Sequence, residues 1–452
     1  MTTNSAPASL FSDLKSKIET RQARVAIIGL GYVGLPLALL YIEQKFKVTG
    51  FDIDQRKVST LMQGGSYIYR IPATEIQEAR THGFEATSDY GLLSQMDAII
   101  ICVPTPLNEY QEPDLSFITK TGEAIAPHLR AGHLVILEST TYPGTTEEVL
   151  LPILEKGNKQ GLKAAHKGSA GDKEFFLAFS PEREDPGNQT VARRDIPKVV
   201  GGLDSQASDL AASLYGAIFA RTVRVSSPAA AEMTKLLENI YRCVNIALVN
   251  ELKLLSLRMG LDIWEVIEAA STKPFGFHPF YPGPGLGGHC IPVDPFYLSW
   301  KAKEWDFRTR FIELAGEINT SMPYHVLASV ASALNREHKA LNGSKVLVLG
   351  VAYKKDIDDL RESPALTIIE LLQKEGVQVS YHDPYFPFIG KGRRYDLQMK
   401  CAPLENLGQY DCVLIVTDHS DHDYRKIVED SKLVVDTRNA TRGIKSPKIV
   451  HC

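Results

Sequence analysis

The sequence predicts an α/β protein in which two doubly wound, parallel-sheet domains are joined by a central helical segment with one long helix. Three observations lead there. Patterns of buried strand and helix alternate in the first half of the chain and again near its end, which implies parallel sheets covered on both faces. A glycine-rich turn separates the first strand from the helix that follows it. Between the two alternating regions runs an unbroken helical pattern of about 32 residues, roughly 48 Å at the α-helical rise.

In chain order, RVAIIG (24–29) reads as a fully buried strand, LPLALLYIEQ as a helix, and KVTGFD as a second strand ending at Asp52. DAIIICVP (97–104) and HLVILEST (133–140) continue the sheet. Residues 155–173, rich in Gly, Lys and small residues, read as a mobile surface loop, because the strand-like FFLAFS and KVVGG follow. Ser227 and Pro228 look like an N-cap and a first-turn proline. From there to Gly260 an apolar stripe of Leu236, Leu237, Ile240, Cys243, Val244, Ala247 and Leu248 predicts a helix that joins domains or meets a partner subunit. Residues 274–297 are Gly/Pro-rich loop, and helix resumes up to about residue 338. KVLVLG (345–350), SPALTIIELLQKEG, VQVSYHDP, CVLIVTD (412–418) and KLVVDTRN (432–439) form a second, smaller α/β unit. The expected division is 1–23 as an N-terminal extension, 24–225, 226–338 and 339–452.

With 44% hydrophobic and 23% charged residues the composition is that of a globular protein, and a net charge of -4 gives no reason to expect nucleic acid or an acidic membrane as partner. No apolar run approaches the roughly 18 residues that span a bilayer. The opening MTTNSAPASLFSDLKSKIET lacks the apolar core of a secretory signal, so a cytoplasmic location is expected. Cys102, Cys243, Cys290, Cys401, Cys412 and Cys452 are scattered without a CxxC pair, which argues against a disulfide framework or a metal site and leaves room for one functional thiol.

The chemistry concentrates in four motifs. Gly29-Leu30-Gly31-Tyr32-Val33-Gly34 is a GxGxxG placed directly between strand and helix. Gly29 permits the tight turn, Gly31 admits a pyrophosphate to the backbone, and Gly34 lets the helix pack on the strand. Asp52, at the end of the next strand, suits a ribose 2′-OH and repels a 2′-phosphate, which favours NAD over NADP in a Rossmann-like domain. Lys235, Asn239 and Arg242 stand at i, i+4 and i+7 on the long helix; on spacing alone they could hold an oxyanion or simply form a solvated polar face. In Gly285-Leu286-Gly287-Gly288-His289-Cys290-Ile291-Pro292-Val293-Asp294, glycines before a cysteine permit close approach of a ligand, and Asp294 could orient a water. A nucleophilic thiol and a buried structural cysteine are both compatible with that local sequence. Ser180-Pro181-Glu182-Arg183-Glu184-Asp185-Pro186-Gly187 follows an apolar strand, so Glu182 is either a general base beside the ligand crevice or part of an ordinary charged loop.

Together with CVPTPLN, ESTTYPGTT, AAEMTKLLENIYRCVNIALVNE and GVAYKKDIDDLRESPA, these segments resemble the UDP-glucose/GDP-mannose dehydrogenase family, in family order from about residue 24 to residue 440. The resemblance implies an NAD domain, a central helix forming a homodimer core, a UDP-binding C-terminal domain, and an active site between the two α/β domains. It implies oxidation of a sugar C6 alcohol to a carboxylate by two NAD. Cys290 matches the nucleophile, Lys235 and Asn239 the oxyanion-stabilising pair, Asp294 the assisting aspartate, Glu182 the residue that activates the hydrolytic water, and Thr140 the threonine of an STxP-type motif from which Thr141-Tyr142 departs slightly.

The same resemblance assigns Gly29, Gly31, Tyr32, Val33, Gly34, Asp52, Lys57, Val103, Pro104, Thr105, Thr140, Arg361 and Arg438 to NAD. It assigns Glu182, Arg183, Lys235, Asn239, Arg242, Phe280, Gly285, Gly287, Gly288, Tyr353 and Lys354 to the UDP-sugar. SPEREDPGN and GGHCIPVDP resemble the branch oxidising UDP-N-acetylhexosamines, with UDP-N-acetylglucosamine ahead of UDP-N-acetylmannosamine and then UDP-glucose, for surface polysaccharides. A one-step NAD-dependent hydroxyacid dehydrogenase or a non-catalytic NAD-binding protein would explain the first domain but not the cysteine loop.

Overall fold

The computed structural model describes residues 9–68, 70–108, 112–166, 172–183, 191–288, 293–392 and 395–452. The chain divides into two compact units, Met1–Glu238 with Trp300–Trp305, and Asn239–Ser299 with Asp306–Cys452.

The first unit contains α1 (Leu10–Glu19), β1 (Arg24–Ile28), α2 (Gly34–Glu43), β2 (Lys47–Phe51), α3 (Gln55–Met62), α4 (Ala73–Thr81), β3 (Glu85–Thr87), β4 (Ala98–Ile101), α5 (Ser116–Ile125), β5 (Leu134–Leu137), α6 (Leu151–Gly157), β6 (Lys163–Ala164), β7 (Glu174–Phe179), β8 (Lys198–Gly202), α7 (Ser205–Gly216) and β9 (Thr222–Val225). Its sheet runs β3-β2-β1-β4-β5-β7-β8-β9, with β6 paired to β7. The central strands are Val/Ile/Leu-rich because both faces are covered. Alternate residues of β1 serve two cores, Val25 and Ile27 on one face and Ala26 and Ile28 on the other. Strand order reverses between β1 and β4, and ligands of such sheets bind at the carboxyl ends of the strands there.

The long helix α8 (Pro228–Met259) contains the boundary between the units. The second unit continues with α9 (Ile263–Ser271), α10 (Asp294–Ala302, whose last residues belong to the first unit), α11 (Arg310–Arg336), β10 (Lys345–Leu349), α12 (Pro364–Lys374), β11 (Gln378–His382), β12 (Phe388–Lys391), β13 (Asp396–Lys400), β14 (Cys412–Ile415), α13 (Tyr424–Asp430), β15 (Val434–Asp436) and β16 (Ile449–His451). Its parallel sheet runs β11-β10-β14-β15-β16, the flavodoxin-like order, beside a β12-β13 hairpin.

Four features depart from the sequence reading. The stretch 1–23 is more than an extension: Ser9 caps α1, and Leu14 and Ile18 enter the core of the first unit. The first sheet is not wholly parallel, because β8 runs antiparallel to β7, with Phe179 opposite Gly201. In the stretch 155–173, Asn158 holds order: its Nδ2 donates to the carbonyls of Leu154, Glu155 and Leu162, and β6 follows; residues 167–171 lie outside the described residues. On α8 the apolar stripe splits into two faces. Leu236, Cys243 and Ala247 are buried, whereas Leu237 and Leu248 are exposed together with Tyr241, Leu252, Leu255 and Met259.

Candidate active site

The first site element is the turn after β1. Gly29 has φ +92°, and a Cβ there would lie 2.6 Å from the Cys102 carbonyl oxygen, so only glycine fits. A Cβ on Gly34 would lie 1.9 Å from the Gly29 oxygen, which fixes the close approach of α2 to β1. Around Gly31 no atom lies within 4 Å of the Cβ position, leaving an open cradle. No side chain caps the first turn of α2; Leu35 N and Leu37 N donate to the Gly31 and Val33 carbonyls and Pro36 has no N–H, so what the turn offers an anion is the positive end of the helix beside the Gly31 cradle.

Asp52 is buried at the end of β2; its Oδ2 accepts from Leu30 N (3.0 Å) and pairs with Lys57 Nζ (3.1 Å). Ser139, just after β5, donates its Oγ to the carbonyl of Val103, just after β4, at 2.7 Å, tying the Val103-Pro104-Thr105 loop to the residue before Thr140. The open cradle, the acidic strand end and the uncapped helix fit a dinucleotide.

The second element is the turn after β7. Ser180 Oγ donates to the Val199 carbonyl and Arg183 Nη1 to the Pro197 carbonyl, each at 2.7 Å, so the turn is laid along the start of β8. Carrying the β7–β8 register three residues beyond Phe179 and Gly201 sets Glu182 opposite Lys198. Lys198 Nζ lies 3.4 Å from Glu182 Oε2 and also pairs with Glu138 Oε1. Tyr215 donates its hydroxyl to the other Glu138 oxygen at 2.5 Å. Burial pushes the Glu138 carboxyl up to about 7 despite the pull of Lys198. Burial also opposes the Lys198 ammonium, but the two carboxylates outweigh it and raise its pKa. Arg183 pairs with Glu238 at 2.6 Å.

The third element is α8 and the loop beside it in the second unit. Lys235 and Asn239, one turn apart, are both buried, whereas Arg242 is exposed. Asn239 Nδ2 donates to Asp294 Oδ2 at 2.5 Å, and Asp294 is 1% exposed. The loop before the cysteine is pinned at several points. Asn250 Oδ1 accepts from Gly283 N at 2.9 Å, while its Nδ2 donates to Asn319. Gly288 N donates to the Arg361 carbonyl at 2.9 Å. A Cβ on Gly287 would sit 2.5 Å from Tyr353 Cβ, and one on Gly288 2.9 Å from the Tyr353 ring. These two glycines therefore admit Tyr353, where the sequence reading expected a ligand. Gly285 has φ +137°, and Phe280 packs edge-on against Tyr241. Lys354 is half-buried, and Arg361 is exposed and paired with Asp359. Arg438 donates through Nε to the Val416 carbonyl at 3.0 Å. Cys290, with His289, and Glu184, Asp185, Pro186 and Gly187 of the SPEREDPG stretch lie outside the described residues.

Sequence reasoning missed Glu138, Lys198, Glu232 and Asn250. The usable signal for the first two was a charged residue at the edge of an otherwise apolar strand. Glu232 on α8 accepts from Gly144 N (2.6 Å), Thr146 N (2.9 Å) and Thr146 Oγ1 (2.6 Å), anchoring the loop after Thr140; burial pushes its carboxyl up to about 7 against those bonds.

A doubly wound unit with an open glycine cradle and an acidic second-strand end defines an NAD-type dinucleotide-binding protein. The chain belongs to the UDP-glucose/GDP-mannose dehydrogenase family: the NAD binding domain of that family matches residues 23–219, its central domain residues 229–321, and its UDP binding domain residues 347–443. It is thus a nucleotide-sugar dehydrogenase.

Over 402 residues it is 36% identical to UDP-N-acetyl-D-glucosamine 6-dehydrogenase of Pseudomonas aeruginosa, covering 89% of this chain and 92% of that protein. It is 32% identical to UDP-N-acetyl-D-mannosamine dehydrogenase of Methanocaldococcus jannaschii, with 92% of each chain covered. A solved structure of UDP-D-ManNAc dehydrogenase from Pyrococcus horikoshii matches with a TM-score of 0.83 at 31% identity, over 95% of this chain and 98% of that one.

Proposed function

We propose that this protein oxidises the C6 hydroxyl of UDP-N-acetylglucosamine to the uronate in two steps, through a covalent adduct on Cys290, for surface polysaccharide synthesis in the cytoplasm. The observation that carries the reading is the buried contact of Asn239 with Asp294, one helical turn from Lys235 and four residues beyond Cys290 in sequence. Bound NAD supplies the hydride acceptor for each oxidation. Lys235 and Asn239 stabilise the developing oxyanion at C6, and Asp294 orients the Asn239 amide. Cys290 thiolate adds to the aldehyde carbon to give a thiohemiacetal, whose oxidation leaves a thioester. Glu182 takes a proton from the water that releases the acid. In sum, one alcohol, two NAD and one water give one carboxylate, two NADH and three protons.

The UDP-N-acetylglucosamine assignment is supported by the SPEREDPGN and GGHCIPVDP motifs and by the Pseudomonas aeruginosa relative. The relatives named for UDP-N-acetylmannosamine favour that epimer as the second reading. Comparing initial NADH production from UDP-GlcNAc, UDP-ManNAc, UDP-Glc and UDP-GalNAc decides between them: UDP-GlcNAc is expected to give the largest kcat/KM, and a larger value for UDP-ManNAc reverses the assignment. Cys290→Ala is expected to lower uronate formation by at least about 10³-fold while NAD binding is retained. Wild-type rates from that variant refute the nucleophile. The exposed apolar face of α8, with Leu237, Tyr241, Leu248, Leu252, Leu255 and Met259, supports a homodimer. Light scattering is expected to report twice the chain mass.

A further inference from the structure

We propose that Lys198, anchored by Glu138, is the positioning residue that holds the Glu182 carboxylate ionised and aimed for water activation. The inference rests on the reading of Glu182 as the group that releases the acid.

The geometry comes from one reversal in the sheet. Because β8 runs against β7, its first residue lies at the carboxyl ends of β5 and β7, the end of a doubly wound sheet where ligands bind. Glu138 follows β5 and Glu182 follows β7, and both reach the same ammonium. The side chain of Lys198 is 3% exposed, that of Glu138 fully buried, and that of Glu182 21% exposed. The ammonium is thus fixed from behind by a carboxylate that cannot reach solvent and offers a second N–H to one that can. The Tyr215 hydroxyl occupies the remaining Glu138 oxygen, and the Tyr215 and Phe219 rings flank Nζ at 5.1 and 5.4 Å, so the amine has little freedom to turn away.

A buried ion pair is in itself a weak source of stability, since apolar residues of similar volume serve as well. The arrangement makes more sense as a device acting on its exposed member. Arg183, which donates its N–H to Glu182 Oε1 at 2.8 Å, has its guanidinium neutralised by Glu238. Cys102 and Tyr41 also face the cluster, both with pKa values raised by burial, so they remain neutral. Among the described residues, Lys198 therefore brings its positive charge onto Glu182 from within the sheet. In the release step, water gives its oxygen to the acyl carbon and a proton to Glu182, the C–S bond breaks, and Cys290 leaves as thiolate.

Lys198→Met, Lys198→Arg and Glu138→Gln test this. With UDP-GlcNAc, Lys198→Met is expected to give a burst of two NADH per site, followed by a steady rate at least about tenfold below wild type. Intact-protein mass spectrometry should show the acyl-enzyme accumulating. Lys198→Arg should restore hydrolysis, and Glu138→Gln should shift it in the direction of Lys198→Met, which keeps the test usable if the methionine variant does not fold. A uniform loss of all steps with no acyl-enzyme in either variant overturns the proposal. Independently of turnover, the 13C-labelled Glu182 carboxyl, assigned with Glu182→Gln, should titrate about one pH unit or more higher in Lys198→Met than in wild type. An unchanged titration overturns the proposal. A wild-type enzyme making one NADH per sugar removes the hydrolytic reading of Glu182, while the titration still decides whether Lys198 holds it.

Discussion

The two doubly wound units of this chain build the same turn and put it to different uses. Gly29 and Gly350 follow the first strand of their respective sheets with φ of +92° and +82°. Each donates its N–H to the last residue of the neighbouring strand, Phe51 at 2.7 Å and His382 at 2.8 Å. The next N–H, from Leu30 or Val351, meets the carboxylate that ends that strand, Asp52 at 3.0 Å or Asp383 at 2.7 Å. The other carboxylate oxygen accepts from the residue two further on, Asp54 or Tyr385, at 2.9 Å in both.

Beyond that point the units part. In the first, α2 starts five residues after Gly29 with no side-chain cap. In the second, α12 starts only at Pro364 and is capped by Ser363. Asp383 is further engaged by Ala352 N and by His419 Nε2, each at 3.0 Å; the His419 Nδ1 accepts from Asp356 N, which assigns the proton to Nε2. A dinucleotide needs a helix start without a side-chain cap beside the acid, and among the described residues the first unit combines the two at this turn.

Substitutions at matched positions can break this comparison. Asp383→Ala should have the largest effect: it orphans buried donors from Val351, Ala352 and His419 and should cost about 3–5 kcal/mol in urea unfolding, with NAD affinity unchanged. A weakened NAD Kd would mean that the turn after β10 also serves the cofactor. Asp52→Asn removes the charge and keeps one of the two acceptors, since its Nδ2 must face the N–H of either Leu30 or Asp54. Titration calorimetry should show NAD binding about tenfold weaker, with improved relative affinity for NADP, whereas Asp383→Asn leaves both ligands alone.

Gly350→Ala meets the Thr417 carbonyl oxygen at 2.3 Å in a positive-φ site and should lose roughly 1–3 kcal/mol of stability. Gly31→Ala meets nothing in the protein and should melt like wild type, showing its effect as a raised NAD Kd.

The smallest effect concerns pH. Burial works against the charged form of Asp383, but His419 and the backbone N–H groups outweigh it and hold its pKa below the ordinary carboxylate value. Its stabilising contribution is therefore complete above about pH 3.9, the unfolded value, and is lost as pH falls through the folded one. The stability gap between wild type and Asp383→Asn should stay constant from neutral pH down to about 4 and narrow below it.

Much of this was legible in the residues. Unbroken apolar runs announced β1, β4, β5, β10 and β14, and the GxGxxG with Asp52 announced the cradle, because both depend on neighbours close in sequence. What escaped depends on distant ones. The reversal of β8 is set by pairing, not by composition, and without it KVVGG gave no hint that its lysine meets Glu138, 60 residues away. Asp383 read as part of a strand end until His419, 36 residues on, was seen to claim it. Leu237 and Leu248 fitted the same stripe as Leu236, and a helix with two apolar faces cannot be divided by periodicity alone. The three-residue strands β3 and β16 carry too few residues for a pattern, and β9, with Thr222 and Arg224 alternating with its valines, has no apolar run.

The chemistry proposed for Cys290 is that a single thiol carries one sugar through two oxidations. With limiting UDP-GlcNAc and excess NAD, it predicts two NADH for each sugar consumed and the uronate as the sole sugar product. One NADH per sugar, with free aldehyde accumulating, would contradict it.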